Sequence, residues 1–288
     1  MTRFENPSRH KHKRWQQFEK NHIMRKNISL IVILGLLKTG IGYSQNVNIK
    51  IGIKDSIQSI ILNENRQLIV SLPKDYQTAK KSYPVLYVLD GNETELLDAI
   101  MVTRKLRAEM IIVAIPNTDR DRDMMPLSTP TYEVKKPGAA TFLSFIGNEL
   151  IQYIENNYHS NGQRTIRGQS LSGLFVMYAF LEKPELFDNY IGNSAGWYAD
   201  MDTFFSAIAD KAFRNKEQFD GKKLFIANSL VDRFDPKKEV HNAMLVFAKK
   251  IESELGDRLS FKYVTYDKYG HVPYPSFYDG LEYVLKKE

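Results

Sequence analysis

The stretch RTIRGQSLSG (Arg164 to Gly173), running straight into LFVMYAFLEKP (Leu174 to Pro184), decides the fold. A short extended run ends in a glycine, a serine follows one residue later, and helical character begins at once. In such a strand, turn and helix the serine is lifted above the sheet edge on a sharp bend. Ser170 takes that place, and the Leu171 N–H lies at the start of the next helix, where negative charge is favoured. The strict G-x-S-x-G spacing is not met, because Ser172 occupies the second glycine position and Gly173 comes one residue later. A blander reading is that Ser170 only caps the helix, a position serine favours. Partners elsewhere in the chain have to decide between the two.

Upstream, Ile49 to Leu72 has strand character, and KSYPVLYVLDG (Lys81 to Gly91) is a nearly continuous apolar strand of the kind buried on both faces of a sheet. A helical segment over Glu93 to Leu106 and the buried-type strand MIIVAIPN (Met110 to Asn117) follow. Residues 118–140 form a long polar connection, and TFLSFIGNELIQYIENNY (Thr141 to Tyr158) has the spacing of an amphipathic helix. Downstream, YIGNSA (Tyr190 to Ala195), KKLFIANS (Lys222 to Ser229) and FKYVTYD (Phe261 to Asp267) read as strands. Helical segments near 201–213, 236–254 and Ser276 to Leu285 separate and follow them. This alternation predicts a three-layer α/β domain with a mostly parallel central sheet.

The chain has 288 residues, no Cys, and 40 Lys+Arg against 34 Asp+Glu, a formal net charge of +6. Absence of cysteine removes disulfide frameworks, thiolate nucleophiles and Cys-ligated metals. The positive charge is unevenly placed. Residues 1–44 hold nine Lys and Arg against Glu5 and Glu19, a local +7, so residues 45–288 carry 31 against 32, a net of −1. In the leader, MRKN (Met24 to Asn27) precedes the apolar ISLIVILGLL (Ile28 to Leu37) and an exit of small residues near Ser44, the layout of an export signal; the run is short for a membrane span. Expected are a leader over 1–44, with Met24 a plausible true start, and one domain over 45–288 in the bacterial periplasm or outside the cell. No membrane span is expected in the mature chain. A near-neutral domain argues against nucleic acid as a partner. The sequence carries no signal for oligomeric state.

A serine hydroxyl needs a base to act as nucleophile near neutral pH, and histidine suits that task. Of six histidines, His10, His12 and His22 lie in the leader. His159 reads as a solvent-facing helix end and His241 as a helical residue, which leaves His271, in YDKYGHVPYPSF after the last strand, as the base. The orienting carboxylate is sought after the preceding strand, where Asp232 is nearest the strand end. Asp235 is the runner-up, and can instead cap a helix with Pro236 at its first position. The order Ser170, Asp232, His271 is that of an α/β-hydrolase triad. Leu171 supplies one oxyanion donor, and backbone N–H groups at Gly91 or Asn92 are candidates for the second.

These motifs, YPVLYVLDG, IIVAIPNTDRDRDMMP, GQSLSG and YGHVPYPSFYDGLEYV, together resemble the putative-esterase branch of the α/β-hydrolases, which includes esterase D-like and enterochelin-esterase-like proteins. The resemblance covers Gln67 to Val284. It implies a serine hydrolase that cleaves a carboxylic ester through an acyl-enzyme, with Ser170 as nucleophile, His271 as base and Asp232 as acid, and with no cofactor or metal. The implied substrate is a small-molecule ester, whether siderophore, carbohydrate-linked or short acyl. An acyltransferase and a noncatalytic binder of the same fold are the rival readings. Two departures stand out: Gln169 where the family often has His, and Ser172 where it usually has Gly. The family's Arg/Asp cluster after the IPN strand corresponds to Asp119, Arg120, Arg122 and Asp123, with Arg120 and Arg122 expected as substrate contacts or loop ties, and a solvated charge run as the equal alternative. Trp197, Tyr198, Phe204, Phe205, Tyr274 and Phe277 are expected around an acyl pocket.

Overall fold

Strand β3 (Tyr83–Leu89) shows why the sheet forms where it does. Val85, Tyr87 and Leu89 enter one apolar cluster and Leu86 and Val88 the other, because successive strand side chains point to opposite faces. Strand β4 (Ile111–Ile115) repeats this with Ile111, Val113 and Ile115 on one side and Ile112 and Ala114 on the other. Both strands are therefore central and need helices on each face.

The computed structural model describes residues 17–22, 24, 50–130, 132–196 and 201–286. Contacts divide the chain into Met1–Lys50 and Ile51–Glu288. In the first unit, residues 17–22 are helical; the apolar run of the expected leader lies outside the described residues, as do Trp197 and Tyr198. No helix among the described residues is long and apolar enough to cross a membrane.

The second unit opens with β1 (Ile53–Ser59), β2 (Glu64–Ser71) and β3, then α1 (Glu93–Lys105), β4 and the short α2 (Arg120–Met124). A long helix, α3, runs through Ala139–Phe145, a wider π-type turn at Ile146–Leu150, and Ile151–Asn157. It starts two residues earlier than its apolar spacing predicts. Then come β5 (Ser160–Gln169), α4 (Leu171–Glu182), β6 (Asn189–Asn193), α5 (Asp202–Ala212), β7 (Lys222–Ser229), α6 (Glu239–Leu255), β8 (Leu259–Tyr266) and α7 (Ser276–Leu285). The sheet order is β1-β2-β4-β3-β5-β6-β7-β8. β1 and β2 pair antiparallel, β2 joins β4 antiparallel, and every later pairing is parallel. This is the three-layer α/β-hydrolase architecture.

Helix α4 is buried from Leu171 to Leu181 without a solvent face, as befits a helix that is apolar all round. It packs on β5 and β6. Helices α1 and α7 cover the opposite face, sharing a cluster with Leu86, Ile112, Phe225 and Ile191. With parallel strands, the loops leaving β3, β4, β5, β7 and β8 all emerge at one edge of the sheet, where ligands bind in such folds.

The long connection at 118–140 is anchored rather than free. Fully buried Arg66 on β2 pairs with buried Asp123 at 2.6 Å and with Glu64 at 2.9 Å. Its guanidinium also lies over the Phe142 ring, 5.1 Å from the centroid. A buried carboxylate is tolerated when paired and hydrogen-bonded in this way.

Candidate active site

Ser170 leaves β5 with φ 55° and ψ −123°, outside the regions open to most non-glycine residues. Neighbouring bonds fix this strained bend: the Ser170 N–H donates to Asn193 O at 2.9 Å, and its carbonyl accepts from Leu174 and Gly196. The two glycines that frame it are there for space. A Cβ on Gly168 would lie 2.2 Å from the Ser172 carbonyl oxygen, and one on Gly173 would lie 2.9 Å from Asn193 O. The helix start therefore presses on β5 and β6 at once. Ser170 makes no side-chain cap to its helix, so the capping reading fails and its hydroxyl is left for another partner.

That partner is His271. Its Nε2 stands 2.7 Å from Ser170 Oγ, and its Nδ1 stands 2.6 Å from Asp232 Oδ2. A carboxylate only accepts, so Nδ1 carries the ring proton and Nε2 accepts from the serine hydroxyl. Asp232, buried just beyond β7, also accepts the Phe234 N–H on Oδ1 at 2.8 Å. The loop bearing His271 is tied to the end of β7 through the Ser229 hydroxyl, which donates to the Tyr269 carbonyl. Asp235 turns elsewhere, accepting the His241 N–H at 2.8 Å in the first turn of α6. It satisfies a helix-start donor, as the alternative for it supposed, but α6 begins at Glu239 and not at Pro236. His241 is buried in α6, where desolvation pushes its pKa down, and His159 precedes β5 with its ring stacked on Tyr76 at 4.9 Å.

The loop after β3 corrects part of the expectation for the oxyanion donors. The Gly91 N–H donates to Ile115 O at 2.9 Å, and a Cβ there would sit 2.3 Å from Ile115 N. Gly91 therefore serves a close approach of two backbones, and its donor is committed. The Asn92 N–H closes a three-residue turn onto Asp90 O at 2.9 Å, while the Asn92 side chain caps α1 through Thr94 and Glu95. The Asn92 bond stays within one exposed turn, whereas the buried Gly91 bonds across to β4, which leaves Asn92 as the candidate for an outward donor. The Leu171 N–H stands at the first position of α4.

The two arginines separate. Arg122 is held by Glu64 (Nη1 at 3.1 Å, Nη2 at 2.8 Å) and by Asp123, facing β2. These bonds tie the loop to β2. Arg120 makes a two-pronged pair with Asp90, Nε to Oδ1 and Nη2 to Oδ2, both 2.8 Å. Phe205 and Phe277 are core residues, the latter under the Arg167 guanidinium, and Phe204 stacks on Tyr178. Tyr274 is 80% exposed on the His271 loop.

Two residues escaped the sequence reading. Asp90 joins three loops, and Phe234 places its ring against that of His271, edge to face, with centroids 4.9 Å apart while remaining 65% exposed. A concavity of about 860 Å³ between α5 and α6 contains none of Ser170, Asp232 or His271.

Three comparisons bear on this geometry. Ferri-bacillibactin esterase BesA of Bacillus subtilis is 31% identical over 160 residues, covering 46% of this chain and 54% of its own length. The siderophore triacetylfusarinine C esterase of Aspergillus fumigatus is 30% identical over 136 residues, covering 42% of this chain and 47% of its own. The chain thus spans about half the length of the curated relatives it matches. Among solved structures, an IroE-like serine hydrolase from Shewanella oneidensis superposes with a TM-score of 0.71 at 26% identity, over 80% of this chain and 79% of that one. The Putative esterase family matches residues 59–254, which include Ser170 and Asp232, and the chain belongs to that family.

Proposed function

We propose that this protein is a serine esterase with Ser170 as nucleophile, His271 as general base and acid, and Asp232 as the group that orients the imidazole. The observation that carries this reading is the unbroken chain of contacts from Asp232 Oδ2 through His271 to Ser170 Oγ, at 2.6 and 2.7 Å. Ser170 Oγ attacks the ester carbonyl as its proton passes to His271 Nε2, and the carbonyl oxygen becomes an oxyanion. The Leu171 and Asn92 N–H groups stabilise that charge, which such donors do best when already aimed at it. The intermediate collapses, His271 returns the proton to the departing alkoxide, and an acyl-serine remains. Water then repeats the sequence through the same base and releases the acid.

The names of the relatives support an ester within a siderophore as the substrate, and the basic-then-apolar leader supports export. Labelling by a fluorophosphonate followed by peptide mapping tests the assignment. Ser170 is expected to carry the label, and the Ser170→Ala protein none. A folded wild-type protein that neither takes the label nor hydrolyses p-nitrophenyl acetate would sink the reading.

A further inference from the structure

Two residues of the elbow, Gln169 and Ser172, reach toward the same segment. Ser172 is fully buried, and its Oγ lies 2.8 Å from Asp90 Oδ2 while accepting the Gln169 N–H at 2.8 Å. The Gln169 carbonyl is also 2.8 Å from that Oγ, but the single hydroxyl proton favours the charged acceptor. A glycine at 172 has no group to offer. Asp90 follows β3 at φ 55°, directly before Gly91 and Asn92. It is gripped from the other side by the Arg120 fork and by Asn117 Nδ2 at 2.7 Å. Burial alone would push the Asp90 carboxyl up, but the bonds from Arg120, Asn117 and Ser172 outweigh it and hold the carboxyl below its ordinary range, so it accepts at neutral pH.

The Gln169 amide makes the second tie. Its Oε1 accepts from Arg167 Nη2 at 2.7 Å, and its Nε2 donates to Glu95 Oε1 at 3.2 Å. Arg167 Nη1 closes the triangle on Glu95 Oε2 at 2.6 Å. Glu95 lies in the first turn of α1, the helix that Asn92 caps. One tie therefore meets the chain at Asp90 and the other at Glu95, on either side of Asn92.

We propose that Ser172, Gln169 and Asp90 are positioning residues that fix the gap between the elbow, with its Leu171 N–H, and the loop after β3, with its Asn92 N–H, so that both donors converge on one oxyanion. The proposal rests on the esterase reading above. Its physical basis is that the two donors belong to separate chain segments, and donors stabilise developing charge only when held in place beforehand. Small displacements from the productive geometry lower rates steeply. Charge-assisted bonds between buried groups are suited to holding such a gap.

The test uses wild type, Ser172→Gly, Ser172→Ala, Asp90→Asn and the Asp90→Asn/Ser172→Gly double variant, with active sites counted by fluorophosphonate labelling. Per labelled site, kcat on p-nitrophenyl acetate is expected to fall about tenfold in each Ser172 variant, less than the loss of a whole oxyanion donor. KM is expected to stay within about twofold, because the interaction matters only once the oxyanion forms. The double variant is expected to be no slower than the slower single one, since the two residues share a bond. A purely structural role would lower Tm or the labelled fraction and leave kcat per site unmoved. Ser172 variants within about twofold of wild type, or single effects that multiply in the double variant, would overturn the positioning role alone. A wild-type protein that takes no label would overturn the esterase reading and this proposal together.

Discussion

Ser170 stands on a bend whose neighbours Leu171, Ser172, Gly173 and Asn193 are all buried, whereas Asp232 and His271 stand on loops that also carry Val231, Phe234, Tyr269 and Tyr274 into solvent. The first side is tied to the sheet by close backbone contacts and buried polar bonds. On the second, the His271 contact with Asp232, the Phe234 N–H bond to the same carboxylate and the Ser229 bond hold a rim of exposed aromatic and aliphatic groups in place. On the proposed esterase reading, precision is concentrated where Ser170 would meet the oxyanion, and adaptable surface where an acyl or alcohol group would lie. Exposed apolar groups gathered around a hydrogen-bonded polar pair are a recognised mark of a ligand-binding surface.

The largest effect expected separates the two aspartates on the exposed side. Asp232→Asn keeps the shape but lets the wrong ring tautomer form, and kcat/KM is expected to fall by about 10⁴. Asp235→Ala is expected to leave the rate near wild type and lower stability by about 1 kcal/mol, through loss of its bond to the first turn of α6. Ester hydrolysis and thermal melts on both proteins check the pair. The reverse pattern would move the triad acid to Asp235.

On the buried side the expected loss is in stability. Gly168→Ala drives a methyl to 2.2 Å from the Ser172 carbonyl oxygen, and neither partner is a flexible side chain that can step aside. Overpacking of this kind costs about 3 kcal/mol or more, a fall in Tm of roughly 6–12 °C for a domain of this size. An unchanged melting curve would mean that the elbow is looser than its contacts indicate.

Which parts of this contrast were legible beforehand follows from sequence separation. The cluster of Ser170, Asp232 and His271 could be read because each follows a strand end, β5, β7 and β8 in turn, and that chain order is the one α/β-hydrolases use for serine, acid and histidine. The clamp at Asp90 could not. Ser172 lies 82 positions away and Arg120 lies 30, and only the sheet order β4-β3-β5 brings the three loops together. No local spacing encodes that crossover. Arg120 and Arg122 look equivalent in TDRDRDMMP, yet on the short helix α2 they face Asp90 and Glu64 respectively. The Gly91 N–H looked available because its acceptor, Ile115 O, belongs to a different strand. Gly91 could be recognised as a turn residue but not as one with a backbone pressed against it.

The same Asp90 gives the comparison a pH dependence. Because bonds from Arg120 and its neighbours hold the folded carboxyl below its ordinary range, folding favours the ionised form. That contribution is complete above the unfolded carboxylate value, near 4, and is lost as pH falls through the lower folded value. Glu64, also held low by Arg122 and Arg66, acts in the same direction. Wild-type Tm is therefore expected to fall more steeply below about pH 4 than that of Asp90→Asn, which lacks this titration. Parallel acid profiles for the two proteins would show that the Asp90 contacts contribute nothing to folding.

The smallest effect expected is at Phe234, and it is the one that most directly tests whether the exposed rim serves binding. Its ring meets His271 edge to face, and the Arg233 guanidinium lies 4.7 Å from its centroid. An aromatic pair of this geometry is worth about 0.5–1.5 kcal/mol, so Phe234→Ala is expected to lower kcat/KM by roughly two- to tenfold. The side chain is 65% exposed, and truncating it removes little buried surface, so Tm is expected to stay within about 2 °C of wild type. A rim that binds substrate predicts that the loss depends on the ester, larger for acyl groups that extend over the ring than for acetate. A loss identical across a series of acyl chains would instead confine Phe234 to steadying the imidazole. In that case the exposed side would be, like the buried one, a device for placing catalytic atoms, and substrate choice would have to be sought elsewhere around the site.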